Sequence, residues 1–192
     1  MTIDKHFISA ESLLRDSFQL GVDVLRSGFR PTFIVGVWRG GAPVGVAVQE
    51  ALEFHGLATD HIAIRASSYF GVDRKAALVK TYALDYLVDE VNAEDALLIV
   101  DDVFDSGRSI EAILAELKRR MRSNFPAEVR VATVYYKPTR VETDRVPDYF
   151  IHESDTWLVF PHEIQGLTRE EILANKPVGA DFFDPENSNS SS

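Results

Sequence analysis

The apolar run Ala96-Leu97-Leu98-Ile99-Val100 leads into two adjacent carboxylates, Asp101 and Asp102, and then into a turn of small residues, Asp105-Ser106-Gly107-Arg108-Ser109. The turn offers backbone N–H groups, two hydroxyls and a guanidinium, all suited to a phosphate. The carboxylates beside it suit a divalent cation or the hydroxyls of a sugar. One short segment is thereby equipped to hold a phosphorylated sugar at both ends. Each half alone has a plainer explanation, since strand-end acids are commonly solvated and the turn could be a helix cap. Together they resist that explanation, because packed anions repel unless something cationic or hydroxyl-rich lies between them. The turn lacks the Gly-Lys-Ser/Thr ending of a nucleoside-triphosphate loop, and no GxGxxG follows the first strand.

The elements that must position these groups are legible in the periodicity. Leu14, Phe18, Gly21 and Leu25 recur at helical spacing behind an N-cap at Ser9, and Gly28 ends that helix. Residues 33–37 predict a buried strand, followed by the tight Arg39-Gly40-Gly41. Val44, Val48, Ala51 and His55 predict the next helix, closed by Gly56. Residues 61–65 predict a second strand, whereas the polar, weakly periodic residues 66–81 are expected to form a mobile loop. Residues 96–100 predict a third strand, and Ile110, Ile113, Leu114, Leu117 and Met121 the helix after it. Residues 129–136 make a fourth strand, with shorter ones at 149–151 and 157–160.

Strands alternating with helices predict an α/β fold with a mainly parallel sheet flanked by helices on both faces. Ligands of such sheets bind beyond the carboxyl ends of the strands. Trp38-Arg39-Gly40-Gly41, the Asp101 to Ser109 run and Lys137 all fall at that edge.

The 192-residue length fits one domain, expected over residues 1–183, with a Pro-, Glu-, Asn- and Ser-rich tail at 184–192 expected to be disordered. The formal net charge of −10 repels nucleic acid and anionic membranes, so neither is expected as a partner. The one basic cluster, Lys118-Arg119-Arg120 with Arg122, lies beside Glu116 and reads as a solvated helix face. The chain has no cysteine, which excludes disulfides, thiolate metal sites and a cysteine nucleophile, and fits a cytoplasmic location. No secretory signal is expected at the N-terminus, and no apolar run approaches membrane-spanning length.

The run Val100-Asp101-Asp102-Val103-Phe104-Asp105-Ser106-Gly107-Arg108-Ser109 resembles the phosphoribosyl pyrophosphate (PRPP) motif of type I phosphoribosyltransferases. Further pieces are similar in order and spacing to the 6-oxopurine salvage branch, the hypoxanthine-guanine and xanthine-guanine enzymes. They are Val37-Trp38-Arg39-Gly40-Gly41, Ser67-Ser68-Tyr69, Lys137, and Asp155-Thr156-Trp157 with Phe160-Pro161-His162-Glu163. The resemblance covers residues 33–163.

The resemblance implies Mg2+-dependent transfer of the phosphoribosyl group from PRPP to a purine base, hypoxanthine or guanine ahead of xanthine. Asp101 and Asp102 would hold the ribose hydroxyls directly or through magnesium. Ser106, Gly107, Arg108 and Ser109 would wrap the 5-phosphate. Arg39 and Gly40 would contact pyrophosphate, with a non-proline cis peptide at Trp38–Arg39. Asp105 would manage the proton of purine N7. Lys137 would donate to the 6-oxygen, Trp157 would stack on the ring, and backbone carbonyls around Leu158 and Glu163 would read carbon 2. Ser68 and Tyr69 would belong to a flexible lid, residues 145–183 to a small hood, and the assembly would be a homodimer or homotetramer.

By residue type alone, Arg39 and its glycines could merely shape a turn, Lys137 could be a solvated strand end, and Trp157 could be core. Two positions depart from the family pattern. Glu163 stands where an aspartate usually contacts metal or pyrophosphate, and Trp38 replaces a smaller residue. His162 beside Glu163 has no second histidine at ligand spacing and is not read as a metal ligand. The competing readings are a PRPP-sensing regulator that binds nucleic acid, disfavoured by the charge, and a phosphoacceptor receiver domain. A receiver needs its acidic pair on the first strand, whereas here it ends the third.

Overall fold

The computed structural model describes residues 5–70, 77–82 and 84–183. In chain order the elements begin β1 (Lys5–Phe7), α1 (Ala10–Arg26), β2 (Phe33–Trp38), α2 (Gly41–Phe54), β3 (Asp60–Phe70), β4 (Ala77–Tyr82) and α3 (Asp85–Glu90). They continue with β5 (Ala96–Phe104), α4 (Arg108–Met121), β6 (Glu128–Tyr136), β7 (Tyr149–Glu153), β8 (Trp157–Val159) and α5 (Arg169–Asn175). The described residues form two compact units, one within residues 14–155 and one joining residues 5–13 to 156–183.

The larger unit carries a six-stranded sheet in the order β4-β3-β2-β5-β6-β7. Its strands are parallel except β4, which runs antiparallel to β3. The central strands β2 and β5 are buried along most of their length, as parallel strands covered on both faces must be. On one face Leu97, Ile99 and Val131 pack with Leu87 of α3 and Ile110, Ile113 and Leu117 of α4. Each such side chain contributes roughly 1.5–3 kcal/mol on burial. On the other face α2 rests directly on β2, an approach made close by the lack of a side chain at Gly36. A Cβ at Gly36 would lie 3.1 Å from the Gly41 carbonyl oxygen, and one at Gly45 would lie 3.5 Å from the Gly36 Cα.

Several sequence expectations need correction. The buried stripe of α1 is Leu13, Ser17, Leu20 and Val24 rather than one containing Leu14 and Phe18, which are exposed. The shift arises because polar Asp16 and Ser17 are buried, and Gly21 lets α1 approach Ala51 and Val48 of α2. His55 lies beyond the end of α2 and is exposed, while Leu52 takes the buried position. Within the expected 66–81 loop, residues 66–70 and 77–81 are strand, and residues 71–76 lie outside the described residues. Arg65 to Phe70 pair with Tyr82 to Ala77, which satisfies backbone groups that a loop would leave to water. The third predicted strand also runs on to Phe104 instead of ending at Val100. The predicted tail at 184–192 lies outside the described residues.

In the smaller unit β1 pairs in parallel with β8, placing Lys5 opposite Trp157. A capping box at Thr168 and Glu171 opens α5, and Lys5 Nζ reaches Glu171 Oε1 at 2.8 Å. Among the described residues no helix is long and apolar enough to cross a membrane.

Candidate active site

The site of the larger unit begins where β5 parts from β2. Their pairing ends at Gly36 and Val100, whereas β5 continues along β6 through Asp101 opposite Thr133 to Phe104 opposite Tyr136. The turn between β2 and α2 fills the fork. A methyl group at Gly40 would overlap the Asp102 carboxylate, and one at Gly41 would overlap the Val100 carbonyl and lie 2.9 Å from the Asp101 Cα. The peptide bond between Trp38 and Arg39 is cis, as the resemblance implies. Arg39 is exposed beyond it. Two motifs separated by sixty residues of sequence are thus pressed together at the carboxyl edge of the sheet.

Asp102 is 7% exposed. Its backbone N–H donates to Asp101 Oδ1 at 2.9 Å, and the Gly41 N–H also bonds to Asp101. Burial first, and then the neighbouring Asp102 carboxylate, push the Asp101 carboxyl well above the usual range. Thr133, opposite Asp101, is fully buried, with a hydroxyl that finds no hydrogen-bond partner among the described residues.

The turn that follows is shaped for α4 to start. Gly107 adopts a left-handed conformation with φ of 80°, and α4 opens at Arg108. Gly107 places no capping side chain over the first N–H groups of the helix, the ones that favour anions. A side chain there would overlap Thr143 Oγ1 and meet the Phe104 ring at 2.8 Å.

A segment of which sequence reasoning singled out only Lys137 straps this turn. After β6, Lys137 N donates to the Phe104 carbonyl at 2.9 Å, and Glu142 N donates to the Ser106 carbonyl at 3.0 Å. Glu142 also pairs with Arg108. Arg140 Nε donates to Asp105 Oδ1 at 2.8 Å, while Lys137 Nζ lies 3.3 Å from Asp105 Oδ2. Lys137 is 8% exposed, so it is not a solvated strand end. Its long stem is buried and its ammonium is delivered to a carboxylate. The only sequence signal for the strap was Pro138 ending a strand ahead of the charged run Arg140-Val141-Glu142.

In the smaller unit Trp157 is 55% exposed and Leu158 is buried, so Trp157 is not core. Glu163 Oε2 accepts from Phe160 N at 3.1 Å and Glu163 N donates to the Phe160 carbonyl at 3.0 Å, which closes the turn through Pro161 and His162. Lys176, also unforeseen, is buried and donates to the same carbonyl at 2.5 Å. Burial pushes its ammonium below the usual lysine range, opposed by nearby Glu163. Ser68 and Tyr69 fall on the β3 backbone opposite Val79 and Leu78, and their side chains lie outside the described residues.

A family model described as phosphoribosyl transferase domain matches residues 12–166. Among solved structures, the purine phosphoribosyltransferase of Pyrococcus horikoshii is 24% identical over 87% of this chain and 99% of its own, with a TM-score of 0.66. A hypothetical protein from Neisseria gonorrhoeae with bound ppGpp is 20% identical over 86% of this chain and 93% of its own, with a TM-score of 0.69. The xanthine-guanine-hypoxanthine phosphoribosyltransferase of Helicobacter pylori is 24% identical over 82% of this chain and 92% of its own, with a TM-score of 0.62. At these identities the likeness is one of fold. No curated protein matches the chain in sequence.

Proposed function

The chain belongs to the phosphoribosyl transferase domain family, and we propose that, as an enzyme of that family, it transfers the phosphoribosyl group of PRPP to a 6-oxopurine. The products are a nucleoside 5′-monophosphate and pyrophosphate. The observation that carries this reading is the seating of Gly40 against Asp102. It joins the turn read as binding pyrophosphate to the acids read as binding ribose, and the phosphate turn follows on the same strand.

In the reaction the bond from the anomeric carbon to pyrophosphate breaks, and its electron pair leaves with the pyrophosphate. The lone pair of the purine ring nitrogen forms the new carbon–nitrogen bond, and the imidazole-ring proton passes to Asp105. Arg39 and nearby N–H groups stabilise the charge growing on pyrophosphate, and donors placed in advance at developing charge are usually the largest catalytic term. Ser106, Gly107, Arg108 and Ser109 hold the 5-phosphate and fix the ribose for in-line attack.

Magnesium fits the donor set. Asp101 and Asp102 present hard oxygen ligands, and burial beside Asp102 makes the ionised form of Asp101 costly without a cation. Among the described residues no group of three or more acidic, histidine or cysteine side chains could hold a metal. When bound, the ion supplies neutralisation of charge on the sugar hydroxyls and pyrophosphate.

Lys137 favours an oxo over an amino group at purine carbon 6, because an ammonium only donates. The preference for hypoxanthine and guanine over xanthine, the stacking of Trp157, the reading of carbon 2 near Leu158 and a lid bearing Ser68 and Tyr69 belong to the same proposal. So do a hood, a cytoplasmic location and a homodimeric or homotetrameric assembly. Incubation with PRPP, magnesium and each purine base in turn tests it. Pyrophosphate is released with hypoxanthine and guanine and not with adenine. Release with no base at all would overturn the reading.

A further inference from the structure

Asp105 is gripped at both oxygens by cations that differ in what else they can do. Lys137 Nζ stands 3.3 Å from Oδ2, and Arg140 Nε donates to Oδ1 at 2.8 Å. Both cations come from one short stretch, the turn Pro138–Arg140 and the residue that precedes it, Lys137, whose carbonyl accepts from Arg140 N at 3.1 Å. Lys137 has a second acceptor in prospect, the 6-oxygen of the base. When its ammonium turns to that oxygen, Oδ2 loses its partner. Arg140 then remains to keep the carboxylate from rotating.

We propose that Arg140 is a positioning residue for Asp105, holding Oδ1 so that Oδ2 is the oxygen that receives the purine proton. This rests on the reading of Asp105 as proton acceptor. The guanidinium suits the task because it stays protonated throughout and cannot itself accept or deliver the proton. Its single Nε–H on one oxygen leaves the other available, which a two-pronged grip on both would not. The backbone beneath it is tied to the phosphate turn. Glu142 N donates to the Ser106 carbonyl at 3.0 Å, and Thr143 Oγ1 packs on Gly107. Base-side positioning is therefore coupled to the loop that holds the 5-phosphate. Because Arg140 is 60% exposed and Asp105 39%, the pair adds little to stability, so its loss is readable in turnover without unfolding.

The test is a double-mutant cycle on the full chain, with PRPP, magnesium and hypoxanthine. Arg140→Met lowers kcat by about 10- to 100-fold, the range for losing a charged hydrogen bond. KM for PRPP and the melting temperature stay as in the parent, and Arg140→Lys regains part of the rate. In an Asp105→Asn background, Arg140→Met changes kcat by less than about twofold, because the interaction it acts through has already gone. A fall of the same factor in both backgrounds, or no fall in the first, overturns the inference while the parent's turnover leaves the functional reading standing. A parent that turns over no purine overturns that reading and this inference with it.

Discussion

Gly40 and Asp102 occupy neighbouring space so closely that a single methyl group on the glycine would fall within the carboxylate. The glycine's φ of −66° and ψ of −33° are open to any residue, so the requirement is steric and not conformational. Gly40 lies in the turn after β2 and Asp102 on β5, which has left its pairing with β2 at Val100.

The first consequence is for Gly40→Ala. The substitution forces Asp102 or the turn aside and costs about 1–3 kcal/mol, as overpacking does. Thermal denaturation should show that loss together with a fall in kcat/KM for PRPP. Adding Asp102→Ala should restore the melting temperature and leave activity absent. Alanine tolerated with full activity would contradict the contact.

Asp105→Asn removes the proposed proton acceptor without changing its size. It should lower kcat by roughly 10²–10⁴-fold, the range for proton-transfer groups. The affinity for PRPP should stay near that of the parent. Steady-state kinetics showing unchanged turnover would take Asp105 out of the mechanism.

Asp101 gives a dependence on pH in the empty protein. Its folded-state carboxyl is raised by burial and by Asp102, so the native chain holds this proton more tightly than the unfolded one. The associated stability is complete below the ordinary aspartate value and is lost as pH rises through the raised folded value. Asp101→Asn should therefore melt higher than the parent at neutral pH without ligands, and the gap should close as pH falls toward the ordinary carboxylate range. Magnesium with PRPP should raise the melting temperature of the parent alone. A variant that melts lower than the parent at neutral pH would contradict the account.

Much of this was legible beforehand. Apolar runs with β-branched residues marked β2, β5 and β6, and α4 kept every predicted buried position, Ile110, Ile113, Leu114, Leu117 and Met121. The acid pair and the phosphate turn could be read because consecutive residues carry them. Features made by tertiary contact were not. Leu13 is buried and Leu14 exposed because Asp16 and Ser17 share the covered face, which an apolar count does not anticipate. The Arg140 contact with Asp105 spans thirty-five positions, and no local pattern in either segment announces it. The burial of Lys176 escaped for a related reason, since an amphipathic side chain shows its buried use only once its carbonyl partner is placed.

Thr133 offers a control beside the site. Its hydroxyl is fully buried and lacks a hydrogen-bond partner among the described residues, so Thr133→Val removes an unsatisfied group from a strand that favours valine. The melting temperature should hold or rise, by up to about 1 kcal/mol of stability. A clear loss of stability would show that the hydroxyl is satisfied in solution.

Calorimetric titration of the protein with PRPP at saturating magnesium addresses the central claim, that one strand end and its two turns cradle a phosphorylated ribose. The account predicts saturable binding that Asp102→Ala abolishes. An absence of any heat of association with the parent chain, at concentrations where the folded protein is intact, would contradict it.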